Sequence, residues 1–389
     1  MDSDSAEMVN EVQNKVILHW NFRGLVELPE IIRFHGNHIQ EIYLKWNKLT
    51  TLPPWIIELL NVTNLYIYGN MIKELPQEIG DMRQLMVLDL SANKLEEVPS
   101  SLGNLVNLKS LLLNSNFITS LPSEMNILHN LEVLSIADNK LIALPEWVGS
   151  LPRLKELNVD NNLLKELPNR LTTSPKLSII SVCSNRLRFL PMNGFVSSIN
   201  ICFEGNVHLN YLSYPLILQQ IAQHNNLFAL RRKTTLGYRC IEENEESSTL
   251  NRNIRLSIRR NHVHELSDQI IELPRQLLNA YKVHNSVVVS LWELSLRKIY
   301  TERYEHTLDI STSPLTVSVR REPIVQDYKF EQLMHCMNYA SYNLLINGPA
   351  SICVNYQCQQ PIFTEAWVVT GVLCHTDCLT TVALCCCRR

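Results

Sequence analysis

An asparagine recurs along the first half of the chain at a constant interval of 23 residues, and no other feature constrains the fold as strongly. Apolar residues stand three and five positions before each asparagine, and a Leu-Pro or Val-Pro pair begins five positions after it. The seven asparagines are Asn47, Asn70, Asn93, Asn116, Asn139, Asn162 and Asn185. Seven copies in phase exclude coincidence, so each segment is predicted to be one structural unit stacked on the next.

This spacing is the Leu-x-x-Leu-x-Leu-x-x-Asn-x-Leu pattern of the leucine-rich repeat. It predicts an α/β leucine-rich-repeat solenoid, with short parallel strands along the concave face and leucines pointing inward. The asparagine is predicted to bond backbone groups where the chain turns. Irregular copies around Asn21 and Asn206 are expected to cap the core. Residues 1–230 are therefore predicted to hold about eight repeats plus caps.

The strand residues that are predicted to face the concave surface change in character along the repeats. They are Tyr43, Lys45, Trp46, Tyr66, Tyr68, Asp89, Asn114, Ser135, Asp138, Asn158, Asp160, Ser181 and Glu204. Aromatic residues come first, and acidic and amide side chains follow. Tyr and Trp are enriched among residues that dominate binding energy, so this face is predicted to dock a protein of basic or mixed surface charge.

Seven of these residues are the candidates for partner binding: Tyr43, Trp46, Tyr66, Tyr68, Asp89, Asp138 and Asp160. The alternative is that aromatic residues on the first repeats merely cover the end of the core. This alternative has more weight for Tyr43 and Tyr66 than for Trp46 and Tyr68.

The asparagine periodicity is lost after the repeats. Residues 231–262 contain a short basic cluster and then an acidic run, Glu242–Ser248, with no apolar residue. Such a composition is typical of a flexible linker. Apolar residues return at helical spacing in residues 263–345, with Pro274 dividing them, which predicts a helical block.

Segment 290–299 of this block has the pattern of a docking helix. Leu291, Ser295 and Ile299 are spaced so that they share one helix face. A leucine followed by a small residue lets a partner backbone come close, as in helix-in-groove recognition. The plain alternative is an ordinary helix of the core.

The cysteines concentrate near the C-terminus. Two close pairs, Cys353 with Cys358 and Cys374 with Cys378, are separated by fifteen residues that include two predicted short strands, 361–363 and 367–369. Four thiolates in this arrangement can close a tetrahedron around a structural zinc ion. Residues 346–389 are therefore predicted to form a zinc-ribbon-like module. The terminal Cys385–Cys387 is read as a frayed tail, with acylation as the alternative.

Several classes of function are disfavoured by what the sequence lacks. The net charge of −3 gives no basic excess for nucleic acid. No apolar run approaches the length of about 20 residues that spans a bilayer. The N-terminus is polar and acidic, so a cytoplasmic or nuclear chain with reduced thiols is expected. No nucleophile with an oxyanion motif, phosphate loop or catalytic carboxylate pair is found, which indicates a non-catalytic protein.

In the order of its parts the chain resembles the leucine-rich-repeat-containing protein 58 and 28 type. That type combines 23-residue Leu-Pro repeats, a helix with a Leu-x-Glu-Leu-small-x-Arg core and terminal cysteine pairs. The matching residues are Leu291, Glu293, Leu294, Ser295, Arg297, Cys353, Cys358, Pro361, Phe363, Cys374 and Cys378. Segment 290–299 is similar to the BC box that grips elongin C, although Ser295 replaces the usual alanine or cysteine.

The resemblance implies a substrate-recognition subunit of an elongin–cullin–RING ubiquitin ligase. The repeats would select the substrate, the box helix would bind elongin C with elongin B, and ubiquitin transfer would occur on another subunit. No clear cullin box follows the helix, so the resemblance leaves the choice of cullin open. The competing interpretation is a signalling scaffold for small GTPases or phosphatases.

Overall fold

The computed structural model describes residues 3–192, 199–209, 212–213, 236–237, 249–250, 253–259, 266–272, 277–281, 290–303, 337–347, 349–352, 360–363, 365–375 and 378–386. The chain divides into two compact units. The first contains Met1–Leu164, Ser174–Asn185 and Ile199–Gly205, and the second contains Lys165–Thr173, Arg186–Ser198 and Asn206–Arg389. Each unit is described by itself below.

The first unit is built on a parallel sheet of nine strands in sequence order, which confirms the predicted leucine-rich-repeat solenoid. Its strands are β1 Ile17–His19, β2 Glu41–Tyr43, β3 Asn64–Tyr66, β4 Val87–Asp89, β5 Ser110–Leu112, β6 Val133–Ser135, β7 Glu156–Asn158, β8 Ile179–Ser181 and β9 Asn200–Cys202. From β2 to β8 each residue pairs with the one 23 positions later, for example Leu65 with Leu88. The 23-residue period of the sequence is therefore also the offset between paired residues of neighbouring strands.

The return path of each repeat carries a short 3₁₀ helix that begins after the proline. In this unit these helices are Pro54–Glu58, Gln77–Asp81, Ser100–Asn104, Ser123–Ile127 and Glu146–Ser150. Each places one buried apolar side chain, such as Ile79 or Leu102, against the core. A Cβ added at Gly80 would overlap the carbonyl of Ser101 in the next repeat, so glycine allows the neighbouring turns to pack closely.

Every repeat asparagine is buried and bonds backbone groups of two repeats. Asn116 donates from Nδ2 to the carbonyl oxygens of Leu90 and Leu113, each at 3.0 Å. Its Oδ1 accepts from the amide of Leu95 at 3.0 Å. The same bonds recur at the other repeats, for example from Asn93 to the carbonyl of Ile67 and from the amide of Ile72 to Asn93. The predicted role of the asparagines is confirmed.

The N-terminal end of the solenoid is closed by helices α1, Ser3–Asn14, and α2, Ile31–His35. The carboxylate of Glu11 accepts from the buried Trp20 indole at 2.7 Å and from Arg23 at 2.8 Å, and Lys15 donates to it at 2.9 Å. Burial raises the pKa of Glu11, but these bonds and the cationic neighbours outweigh it, so the pKa is lowered overall. The ionised carboxylate therefore fastens α1 to the first repeat.

The described residues of the second unit form three sheets, two α-helices and one 3₁₀ helix. Its strands are β10 Leu212–Ser213, β11 Leu236–Gly237, β12 Thr249–Leu250, β13 Asn253–Arg259, β14 Leu266–Glu272, β15 Asn279–Tyr281, β16 Ser351–Ile352, β17 Pro361–Ile362, β18 Glu365–His375 and β19 Cys378–Cys386. Its α-helices are α3 Leu291–Arg303 and α4 Tyr339–Asn347, and Asn169–Thr173 is a 3₁₀ helix. A mixed sheet has the order β10-β19-β18-β15-β12, with β11 also paired to β18.

Three expectations for this part of the chain need correction. Strand β13 lies inside the predicted linker, and β14 lies inside the predicted helical block. Ile254, Leu256 and Ile258 alternate along β13, and its antiparallel pairing with β14 overrides the local helical spacing. The predicted frayed terminus is also wrong where it is described, because Cys385 and Cys386 pair with β18 at the end of β19.

Helix α3 packs on a small core of its own unit. Leu296, Tyr300, Leu345 and Phe363 are buried together, and the rings of Tyr300 and Phe363 meet edge to face at 5.4 Å. This core joins α3, α4 and the end of β17. It therefore fixes which side of α3 faces inward and which side remains exposed.

Candidate functional site

Six aromatic side chains stand in two columns across the first three strands, and we call them the aromatic platform. Its members are His19, Phe22, Tyr43, Trp46, Tyr66 and Tyr68. In the first column Tyr43 stacks between His19, at 4.7 Å between ring centroids, and Tyr66, at 4.5 Å. In the second column Trp46 lies 6.5 Å from Phe22 and 5.1 Å, edge-on, from Tyr68. The structure thus brings the four predicted aromatic residues into one surface.

Cation–π contacts and a hydrogen bond fix the rings of the first column in position. Lys45 places its ammonium 4.9 Å from the Tyr66 ring centroid and 5.8 Å from that of Tyr43, within cation–π range. The Tyr43 hydroxyl donates to Glu41 at 2.8 Å. This bond, and to a smaller extent burial, raises the pKa of Tyr43 well above its usual range. Tyr43 therefore remains a neutral, positioned ring.

The second column is more exposed and has unusual backbone geometry. Phe22 and Trp46 have left-handed backbone φ values of 59° and 56°. Left-handed geometry is uncommon for any side chain and strained for a bulky one. Phe22 is 75% exposed and Trp46 is 51% exposed, so neither ring is chiefly a core residue. The sequence does not predict Phe22, because it follows the asparagine of its repeat, whereas Trp46 precedes the asparagine of the next repeat.

The left-handed residue is a repeat feature, since it occurs immediately before each repeat asparagine. The same position holds Trp46, Gly69, Ala92, Ser115, Asp138, Asn161 and Ser184, and Phe22 precedes them at the first strand. We call this line of residues the left-handed column. Glycine at position 69 matters for the platform, because an added Cβ would lie 2.7 Å from the Trp46 ring. The Trp46 ring therefore rests directly on the Gly69 backbone.

The acidic end of the concave face consists of Asp138, Asp160 and Glu204. Asp138 is exposed, and Asn161 donates to its carboxylate at 2.9 Å. Asp160 is half-buried and accepts from the Cys183 amide at 2.6 Å. The Cys183 thiol donates a hydrogen bond to Glu204 at 3.1 Å. Burial, and to a smaller extent this bond, raises the pKa of Cys183 to about 11. The thiol is therefore protonated and adds no negative charge.

Asp89 differs from the expectation that it faces solvent. It is only 7% exposed, and its carboxylate accepts from the Ser91 amide at 3.1 Å. Its strand neighbours are Tyr66 and Leu112, whose larger side chains flank it on both sides. Ser135, another residue that was expected to face solvent, is also buried. Asp89 is thus placed as a structural residue rather than as a contact for a partner.

Helix α3 exposes part of the face on which the docking pattern lies. Leu291 is 83% exposed, and Ser295 and Leu294 are exposed beside it. The Ser295 hydroxyl donates to the Leu291 carbonyl at 2.7 Å, so it lies close against the helix backbone. Ile299 is only partly exposed, because it packs against the core cluster under α3. Two of the three predicted box residues therefore lie on open surface.

The opposite face of α3 is fixed by buried polar bonds. Glu293 accepts from Arg297 at 2.8 Å and from the backbone amide of Phe363 at 2.9 Å. The side chains of this ion pair are 0% and 7% exposed. The Ser290 hydroxyl accepts from the Glu293 amide at 3.2 Å and caps the helix. The Trp292 indole donates to Ser341 on α4 at 3.0 Å.

The predicted cysteine module is described only in part. Cys353 and Cys358 lie outside the described residues. Strands β18 and β19 form a hairpin in which Cys374 pairs with Leu379 and His375 pairs with Cys378. Adjacent positions of a ladder alternate between its two faces, so this register does not by itself place Cys374 and Cys378 on one face.

Two further observations concern the described residues alone. No group of three or more histidine, cysteine, aspartate or glutamate side chains is placed there to hold a metal ion. None of the helices in that part of the chain combines the length and apolar character of a bilayer span.

Residues 60–118 and 106–164 match the family model described as Leucine rich repeat. The TMV resistance protein N of Nicotiana glutinosa is 33% identical over 95 residues, which are 23% of this chain and 8% of that protein. A leucine-rich-repeat protein of Leptospira interrogans aligns at 26% identity with a TM-score of 0.47, covering 55% of this chain and 60% of that one. An internalin C2 of Listeria monocytogenes aligns at 24% identity with a TM-score of 0.43, covering 50% and 83%. The chain therefore carries leucine-rich repeats, which form a protein-interaction module.

Proposed function

We propose that this chain is a substrate-recognition subunit of an elongin–cullin–RING ubiquitin ligase. The concave face of the repeats binds the substrate, and α3 docks on elongin C, which carries elongin B and connects the chain to a cullin. The chain itself performs no chemistry, and ubiquitin transfer takes place on another subunit. We assign the protein to the cytoplasm, where its free thiols stay reduced.

The observation that carries the proposal is the two-sided character of α3. Leu291 is 83% exposed although it is a large apolar side chain, and Leu294 and Ser295 adjoin it. The other side of the helix is held by Glu293 and Arg297. A fixed helix that presents a leucine beside a small residue is suited to inserting into an apolar groove. Because it is already ordered, little conformational entropy would be lost on docking.

We expect the Leu291→Asp variant to lose elongin binding. An anchor leucine in a buried interface contributes about 2 kcal/mol or more, so its replacement by a charge should weaken binding by about 30-fold or more. The intact chain and the variant are each used to capture partners from cell extract, and retained proteins are identified by mass spectrometry. Purified elongin B–elongin C is then titrated against both chains by calorimetry.

The matched control is Leu60→Asp, because Leu60 is an exposed leucine in the repeat unit. It should retain elongins B and C and a cullin like the intact chain. Ser295→Ala should also retain them, because alanine is the usual residue of the box at that position. If the intact chain and Leu291→Asp recover the same partners without an elongin, α3 is an ordinary core helix, and the scaffold for GTPases or phosphatases becomes the better interpretation.

We also propose that Cys353, Cys358, Cys374 and Cys378 hold one structural zinc ion. Two close cysteine pairs across a hairpin-length spacer support this, and four thiolates are a set of ligands that zinc prefers. Zinc would supply folding energy to the module rather than chemistry.

The zinc proposal predicts about one zinc ion per purified chain. Cys353→Ser should lose it and lower the unfolding temperature of the second unit, since metal binding is coupled to folding. Metal content is measured by plasma mass spectrometry, with Cys202→Ser in the repeat unit as the control that keeps its zinc. A metal-free intact chain that unfolds at the same temperature with and without added zinc would contradict the proposal.

A further inference from the structure

We propose that the left-handed column of the concave face binds an extended segment of another protein, which carries a proline or aromatic residue at one end and a lysine or arginine about six residues away. The inference names the class of substrate and rests on the recognition part of the proposed function. It does not depend on α3 or on elongin.

The apolar end of the segment is assigned to Phe22 and Trp46. Both rings are largely exposed and lie 6.5 Å apart with nearly parallel planes. Their left-handed backbone would be relaxed by glycine, which the same column has at Gly69. A strained and exposed pair of rings contributes little to the core, so a binding role explains it better than a packing role. Flat rings of this kind bind proline or aromatic side chains by stacking.

Beyond Trp46 the column continues through three small residues before it reaches a charge. Gly69, Ala92 and Ser115 occupy the position in successive repeats, and Asp138 follows them. The small residues leave a shallow lane in which a narrow chain can lie close to the sheet. An extended polyproline-type or β-type segment fits such a lane.

Charge complementarity assigns the basic end of the segment. Asp138 is exposed, and the Asn161 amide orients its carboxylate. Asp160 and Glu204 lie on later repeats of the same face. In the described strands from β5 to β9 and the four residues after each, no lysine or arginine occurs to neutralise these carboxylates. A lysine or arginine of the bound segment would supply the missing positive charge.

The distance between the two ends sets the spacing in the segment. Trp46 follows β2 and Asp138 follows β6, which are four strand steps apart in the sheet. At about 4.8 Å per step the separation is about 19 Å. An extended chain advances about 3.3 Å per residue, so about six residues connect the ring to the positive charge.

The test uses the full chain without any elongin and a fluorescein-labelled synthetic peptide. The peptide carries Trp-Pro at one end and Arg-Arg at the other, joined by a glycine–serine spacer that sets the separation at about six residues. A second peptide shortens the separation to about two residues, and a third replaces both arginines by glutamate. We expect fluorescence anisotropy to show the first peptide binding at least tenfold more tightly than the other two.

Three variants test the residues. Trp46→Gly should weaken binding of the first peptide at least tenfold without lowering the unfolding temperature, because glycine relaxes the left-handed backbone. Asp138→Lys should weaken binding of the first peptide and strengthen that of the glutamate peptide. Phe117→Ala replaces an exposed aromatic residue outside the platform and should change neither.

Three results would overturn the inference: no binding of the first peptide, equal binding of the long and short peptides, or a Trp46→Gly variant that unfolds earlier because the ring covers the core. These outcomes are separate from the elongin experiment. Loss of elongin capture in Leu291→Asp leaves peptide binding unaffected, and failure of the peptide leaves the docking role of α3 standing.

Discussion

Replacing Glu293 by alanine is expected to destabilise the second unit by about 3–5 kcal/mol, since it removes one partner of a buried ion pair. Arg297 would keep its positive charge in a site that is only 7% exposed. The Phe363 amide would also lose the acceptor that it now has at 2.9 Å. Because Phe363 belongs to the core under α3, the loss should loosen both the helix and its packing.

The effect of Glu293→Ala is measured by urea unfolding of the full chain, with hydrogen exchange of the Phe363 amide as a local probe, because this amide donates to Glu293. Lys298→Ala on the exposed face of the same helix is the control and should cost well under 1 kcal/mol. The double variant Glu293→Leu with Arg297→Met should recover most of the loss, because an apolar pair leaves no buried charge. An unchanged unfolding midpoint in Glu293→Ala would show that α3 is held by apolar contacts alone.

The Glu293→Ala variant also helps to separate two causes of lost elongin binding. If α3 binds elongin C, Glu293→Ala should weaken binding through disorder of the helix, with a fall in helix content. Leu291→Asp should instead weaken binding with the helix intact, because Leu291 is 83% exposed. Circular dichroism beside the calorimetric titration distinguishes these two outcomes.

The repeat unit was largely predictable because its constraints are local and repeated. Each repeat needs an asparagine that bonds three backbone groups, so an asparagine recurs every 23 residues. The strands pair with the same offset. Tyr43 and Tyr66 on the concave face were also predictable, since strand residues alternate between inside and outside. Phe22 was not, because it lies 24 rather than 23 residues before Trp46. Its left-handed backbone, which only the structure shows, aligns it with Trp46.

Other differences have causes outside the local sequence. The burial of Asp89 depends on Tyr66 and Leu112, which belong to neighbouring repeats. The strand β14 depends on β13, which pairs with it from inside the predicted linker. In both cases residues outside the segment itself decide the outcome, and the spacing within one segment carries no information about them.

Replacing Asn116 by alanine should lower the free energy of unfolding of the repeat unit by about 3–5 kcal/mol. The asparagine is buried, and its amide is bonded to the carbonyls of Leu90 and Leu113 and to the amide of Leu95. Each buried backbone group left without a partner costs about 1–3 kcal/mol, and water can relieve only part of this. Asn116→Asp should be destabilising too, because a carboxylate cannot donate to the two carbonyls.

The control for Asn116 is Asn107→Ala, which removes a single exposed bond to the Arg83 carbonyl and should cost about 1 kcal/mol or less. Hydrogen exchange of the Leu95 amide provides the local measurement, because this amide donates to Asn116 and should exchange faster in the variant. Because neighbouring repeats share these bonds, the disturbance should extend to adjoining turns and weaken the lane between Trp46 and Asp138 as well. If Asn116→Ala and Asn107→Ala unfold alike, the stacked leucines alone would account for the stability of the solenoid.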